Sequence, residues 1–126
     1  MTNFELGAKL VEFCKEGKNL EFINAHYADT VTSVEAMESP ANPEMPRTLE
    51  GIEAVRGKNS WWIENHEIHS ANVAGPYPHG DDRFATLFSY DVTFKPTGER
   101  MTMEEVGLYT TAGGKITREE FFYHMG

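Results

Sequence analysis

Three glutamates stand where they could exchange a proton with a substrate: Glu35, Glu119 and, as a third candidate, Glu105. Moving a proton between carbon and oxygen needs one group ionised and another protonated. Burial among apolar rings, or close to a second carboxylate, separates the two pKa values. In Glu119-Glu120-Phe121-Phe122-Tyr123, alternation puts Glu119, Phe121 and Tyr123 on one face of a strand. If that face looks inward, an acid lies among aromatics, where desolvation can hold a proton near neutral pH. Tyr90, Tyr109 and Tyr123 are the matching donors, because a buried phenol needs a partner and can orient or protonate a carbonyl oxygen. Met37, Trp62, Phe88, Tyr90 and Phe121 would wall an apolar pocket, with His66 reaching in from a helix end.

Each assignment has a plainer alternative. The acids could be solvated or paired with Arg118, Arg100 or Lys115, and the tyrosines and Trp62 could be core residues. His66-Glu67-Ile68-His69 lacks the spacing and helical context of a zinc motif, so no metal is expected. Gly75-Pro-Tyr-Pro-His-Gly80 is read as a turn and not a phosphate cradle, since its prolines withdraw the amides that such a loop must offer.

The elements that must position these residues follow from the periodicities. Ala112-Gly113-Gly114 between two runs rich in aromatic and β-branched residues predicts a hairpin. A two-residue Gly113-Gly114 turn would set Leu108 opposite Glu119, whereas a three-residue turn with Gly114 as a bulge would set Gly107 there. The register decides whether Glu105 or Glu104 joins Glu119. Helices are predicted over 3–16 (Leu6, Leu10, Phe13, Cys14), from about Asn19 (Leu20, Ile23, Tyr27), and over about 52–64 (Ile52, Val55, Trp62, His66, interrupted by Asn59). Strands are predicted over 31–37, with Val31, Ser33, Glu35 and Met37 on one face, over 67–75, over 83–94, and in the hairpin. The three prolines of Ser39-Pro-Ala-Asn-Pro-Glu-Met-Pro-Arg47 leave a loop of lid-like length.

With 126 residues the chain fits one domain, 1–126, with a modest core. The formal net charge of −9 argues against nucleic acid and against an anionic membrane surface. No apolar run approaches a signal peptide or a membrane span. The one cysteine, Cys14, excludes an internal disulfide and suits a reducing cytoplasm. Helices grouped before a meander of strands imply an α+β fold with the helices covering one face of a mainly antiparallel sheet. The bend of that sheet would leave a cavity for a small molecule.

The helical start Leu6–Gly17, Phe22-Ile-Asn-Ala-His-Tyr-Ala-Asp-Thr-Val31, Leu49-Glu-Gly-Ile-Glu-Ala-Val-Arg56 and Gly114-Lys-Ile-Thr-Arg-Glu119 together resemble SnoaL-like proteins of the nuclear transport factor 2-like superfamily, over nearly the whole chain. That resemblance implies a cystatin-like cone, with three N-terminal-half helices in the concave face of a strongly curved sheet, and a homodimer formed through the outer face. The superfamily includes isomerases, cyclases, dehydratases and non-catalytic binding modules, so the fold does not name the chemistry. Carried over by residue, Glu35 matches the ketosteroid isomerase base. The isomerase's two oxyanion donors match Leu10 and either Gly107 or Val106, which cannot donate, so ketosteroid isomerase activity is not expected. The isomerase's apolar pocket wall matches Glu119, Phe121 and Tyr123, and the Asp-Arg-Asp set of an epoxide hydrolase has no counterpart. The expectation is a cytoplasmic homodimer whose cavity takes a small, largely apolar molecule. It would act as a cofactor-independent isomerase, dehydratase or cyclase, or else as a binding or interaction module without turnover.

Overall fold

The computed structural model of the chain describes residues 1–39 and 42–124. Helix α1 (Asn3–Lys15) opens with a capping box: the Thr2 hydroxyl accepts from the Glu5 amide and the Glu5 carboxylate accepts from the Thr2 amide, both at 3.1 Å. Helix α2 (Asn19–His26) runs directly into strand β1 (Tyr27–Val34), and a short β2 (Thr48–Glu50) precedes helix α3 (Ile52–Asn65). Four long strands follow: β3 (His66–His79), β4 (Arg83–Phe94), β5 (Glu99–Ala112) and β6 (Lys115–Phe122).

The six strands form one curved sheet in the order β2-β1-β6-β5-β4-β3. Every neighbouring pair is antiparallel except β1 and β6, which run parallel. The three helices lie on its concave face. Leu6, Leu10, Phe22 and Val55 from the helices meet Val31, Phe84, Phe88, Tyr109 and Ile116 from the strands in one apolar core. Inward and outward residues alternate along β4, where Phe84, Thr86, Phe88 and Val92 are buried.

The sequence-derived boundaries need four corrections. Tyr27 is the first residue of β1 and not part of the α2 stripe; it is extended (φ −87°, ψ 142°) and buried. Strand β1 ends at Val34, leaving Glu35 and Met37 just beyond it. Strand β2 was not expected; its three residues pair with Thr32–Val34. Gly75–His79 is no turn, because β3 continues through it with a register shift between Ala74 and Tyr77. Proline is tolerated there because β3 lies at the sheet edge, where one side needs no ladder donor.

The hairpin follows neither expected register. Gly113 (φ 59°) and Gly114 (φ 76°) form a two-residue turn with Ala112 opposite Lys115, but one extra residue, Thr117, lies between Ile116, opposite Thr111, and Arg118, opposite Thr110. That bulge places Tyr109 opposite Glu119. The lid-like loop includes Pro40 and Ala41, which lie outside the described residues. Arg47 ties its far end to Glu35, its Nε donating to the Glu35 carbonyl at 3.0 Å and its carbonyl accepting from the Glu35 amide at 2.8 Å.

Candidate functional site

Glu119 is the most buried charged residue described, at 3% exposure. Because of the Thr117 bulge, its side chain points into the concave face beside Tyr109. Its Oε1 accepts from the Tyr27 hydroxyl, and its Oε2 accepts from the Ser33 hydroxyl at 2.6 Å. Both donors come from β1, which lies parallel beside β6, so the two strands deliver acid and hydroxyls to one place.

Among the described residues, Lys58 supplies the only ammonium that joins the cluster's ion pairs. Helix α3 buries Val55, and Lys58 lies one turn further along the same side. Its Nζ donates to Ser33 Oγ and to Glu35 Oε1 at 2.8 Å, and stands 3.7 Å from Glu119 Oε2. It also lies 5.0 Å from the Phe121 ring centroid. Glu35 Oε2 accepts from the Tyr123 hydroxyl at 3.0 Å. Burial first, then the Glu35 carboxylate, pushes the Tyr123 phenol above its ordinary range.

Glu105 faces the same concave surface from β5, opposite Phe88. None of the hydrogen bonds that tie Glu35 and Glu119 reaches it. Burial, and then Glu35, push its carboxyl up to about 8, with Lys58 opposing and Glu119 adding to the rise. Two of the predicted phenols are also displaced. Burial first and Glu119 second push Tyr109 well above the usual phenol range, while burial first and Glu105 second raise Tyr90.

The predicted wall residues fall into two groups. Phe121 packs against the cluster, edge-on to Tyr109 at 6.2 Å, and the half-buried Met37 has its backbone beside the Tyr123 hydroxyl. The others form a row of rings: His66 stacks on Trp62 at 4.4 Å, Trp62 meets Tyr90 at 5.3 Å, and Tyr90 stacks on Phe88 at 6.0 Å. His66 Nδ1 lies 2.8 Å from the Trp62 carbonyl, so its ring is engaged at the end of α3. His69 points elsewhere, with Nε2 2.7 Å from Thr93 Oγ1. Among the described residues, no group of three or more His, Cys, Asp or Glu is placed to hold a metal ion.

The basic partners proposed for the acids are occupied elsewhere. Arg118 pairs with Glu120, Arg100 pairs with Asp91, and Lys115 donates to the Ala25 carbonyl. Lys58, Ser33 and Tyr27 were not singled out as functional residues by the sequence reading. The available signal was a lysine on the buried side of α3, three positions after Val55. Two concavities lie apart from the three acids. One of about 470 Å³ lies between the start of α1, Gly80-Asp81 and Gly113-Gly114. Another of about 700 Å³ is lined by Ser70, Asn72, Ser89, Asp91 and Glu104 on the outer face, and reaches Tyr90 and Met103.

Comparison with known proteins agrees with this architecture. A protein from Mesorhizobium loti, provisionally named a SnoaL-like polyketide cyclase, is 48% identical with a TM-score of 0.88, covering 98% of this chain and all of its own (100%). A provisionally named isomerase from Bacillus subtilis is 16% identical with a TM-score of 0.78, covering 98% of this chain and 90% of its own. A protein of ketosteroid isomerase-like fold from Catenulispora acidiphila, in complex with trimethylamine, is 19% identical with a TM-score of 0.72, covering 99% of this chain and 88% of its own. Among curated proteins none matches the sequence. The family model for the SnoaL-like domain matches residues 1–123, and the chain belongs to that family.

Proposed function

We propose that this SnoaL-like protein binds a small, largely apolar carbonyl compound and moves a proton on it without a cofactor, in an isomerisation, dehydration or cyclisation. The observation that carries the reading is a charge imbalance. Glu35, Glu105 and Glu119 converge on one concave face, and one ammonium, Lys58, forms ion pairs with two of them. The carboxyl left outside those pairs, Glu105, keeps its proton near neutral pH, which suits a general acid. Glu35, ion-paired and a quarter exposed, is the base. Tyr123 orients it, Tyr109 is the further phenol beside the cluster, and Glu119 is the buried anchor. Trp62, Phe88, Tyr90 and Phe121 give the apolar contacts, with Met37 and His66 at the margin.

The test is proton exchange. Cyclohexanone and 2-cyclohexenone would be incubated with the protein in deuterium oxide and followed by NMR, with binding read by thermal shift. Exchange should fall by about a hundredfold or more in Glu35→Gln and Glu105→Gln while the shift persists. If the compounds bind and neither variant alters exchange or its pH dependence, the proton-transfer reading fails.

Binding without turnover is the second reading. It is favoured by the donors that Tyr27 and Ser33 already give Glu119, and by the trimethylamine complex of the Catenulispora protein. We also propose a homodimer through the outer face. Leu87, Val106 and Phe122 are neighbours across β4, β5 and β6 there and all are exposed. Sedimentation at micromolar concentration checks this, and a monomer would end it.

A further inference from the structure

Lys58 makes contacts in two directions. Toward the core it donates to Ser33 Oγ, whose own proton goes to Glu119 Oε2 at 2.6 Å; Glu119 Oε1 is in turn held by Tyr27. Toward the open side it donates to Glu35 Oε1 at 2.8 Å, while Tyr123 holds Oε2 at 3.0 Å. The result is a continuous chain of hydrogen bonds from the buried Tyr27 to Tyr123. It has one helix residue at its centre and carboxylates on both sides.

We propose that Lys58 is the positioning residue of this site: it fixes the orientation of Glu35, and the buried Tyr27–Glu119–Ser33 group exists to hold Lys58 in place. This rests on the reading of Glu35 as the base. The geometry supports it in three ways. Both Glu35 carboxylate oxygens are engaged, so the side chain has one orientation although it begins beyond the end of β1. A free lysine side chain samples many rotamers, and here Ser33, Glu119 and the face of Phe121 fix its head group. Ser33 can serve because its hydroxyl both accepts from Lys58 and donates to Glu119, which an apolar residue at that β1 position could not do.

The charged and titratable groups facing Lys58 are Glu35 after β1, Glu119 on β6, Glu105 on β5 and Tyr123 after β6. Removing the ammonium withdraws the charge that opposes the upward push on Glu105, so its proton should be held to still higher pH. The experiment follows the glutamate side-chain carboxyls by carbon-13 NMR through a pH titration of wild type, Lys58→Met and Lys58→Arg. Exchange of cyclohexanone protons in deuterium oxide is measured on the same samples. In Lys58→Met the Glu105 midpoint should rise by about one pH unit. The alkaline limb of the exchange profile should move with Glu105, kcat should fall about tenfold, and KM should stay within twofold. Lys58→Arg should restore most of the midpoint and the rate.

Midpoints that stay within about 0.3 unit of wild type would overturn the proposal. So would a methionine variant whose profile keeps its wild-type position. If Lys58→Met does not fold, Lys58→Gln carries the same test with a neutral group that still donates to Ser33. If wild type exchanges no ketone protons, the proton-transfer reading falls, while the Glu105 midpoint still decides whether Lys58 governs the carboxyls of this site.

Discussion

Tyr27 and Glu119, 92 positions apart, meet in a buried hydrogen bond at the seam where β1 runs parallel to β6, the hydroxyl donating to Oε1. A hydrogen bond to a charged group contributes more than a neutral one, because the alternative is a carboxylate short of donors in a low-dielectric interior. Tyr27→Phe should therefore lower unfolding stability by about 2 kcal/mol with little change in volume. Urea denaturation measures it, and a loss no larger than that of Tyr77→Phe, at a half-exposed phenol, would show that the bond contributes nothing.

Glu105 makes stability fall as the medium becomes more alkaline. Its folded carboxyl is pushed up to about 8, above its unfolded value, so between those values the folded state holds a proton that the unfolded state has lost. The loss begins above the unfolded pKa and is complete above the folded one. Between about pH 5 and pH 9 it should reach roughly 2 kcal/mol, about half of what the full displacement would carry because the carboxyl is partly solvated. Glu105→Gln should flatten this slope in denaturation curves taken across the range. An unchanged slope would place its origin at another group.

Gly107 is a packing requirement. A Cβ there would lie 2.8 Å from Tyr109 Cε2 and 3.1 Å from both Phe88 Cε2 and the Tyr109 hydroxyl. Gly107→Ala must displace a ring fixed between Phe84 and Phe121, at a cost of about 1–3 kcal/mol. A drop in melting temperature of several degrees is expected. A variant as stable as wild type would mean that the ring has room to move.

Cys14 should be inert in the folded protein. Burial first and Glu119 second push its thiol up to about 12, so about one molecule in ten thousand carries thiolate at pH 8. Iodoacetamide labelling followed by mass should be nearly absent in native protein and complete in denaturant. Rapid native labelling would contradict this burial.

Much of the architecture was legible because it rests on periodicity. The α1 stripe of Leu6, Leu10 and Cys14, the alternation of Phe84, Phe88 and Val92, and the shared face of Glu119, Phe121 and Tyr123 all follow from residue spacing. The missed features depend on a neighbour distant in sequence. Tyr27 fits the α2 stripe, yet β6 is available to pair with it, and it becomes the start of β1. Gly75-Pro76-Tyr77-Pro78 has turn composition, but an edge strand tolerates it. Lys58 has no short-range signature, because its partners belong to β1, its adjoining residue Glu35, and β6.

Thr117 has a consequence larger than its own contacts. Counted from a regular Gly113-Gly114 turn, Glu119 would fall opposite Leu108 and face away from the helices. The supernumerary position reverses that parity and lets Ile116 and Glu119, three apart, both enter the interior. Whether this molecule presents an acid or an arginine to its own middle is thus fixed by whether a residue count is odd or even.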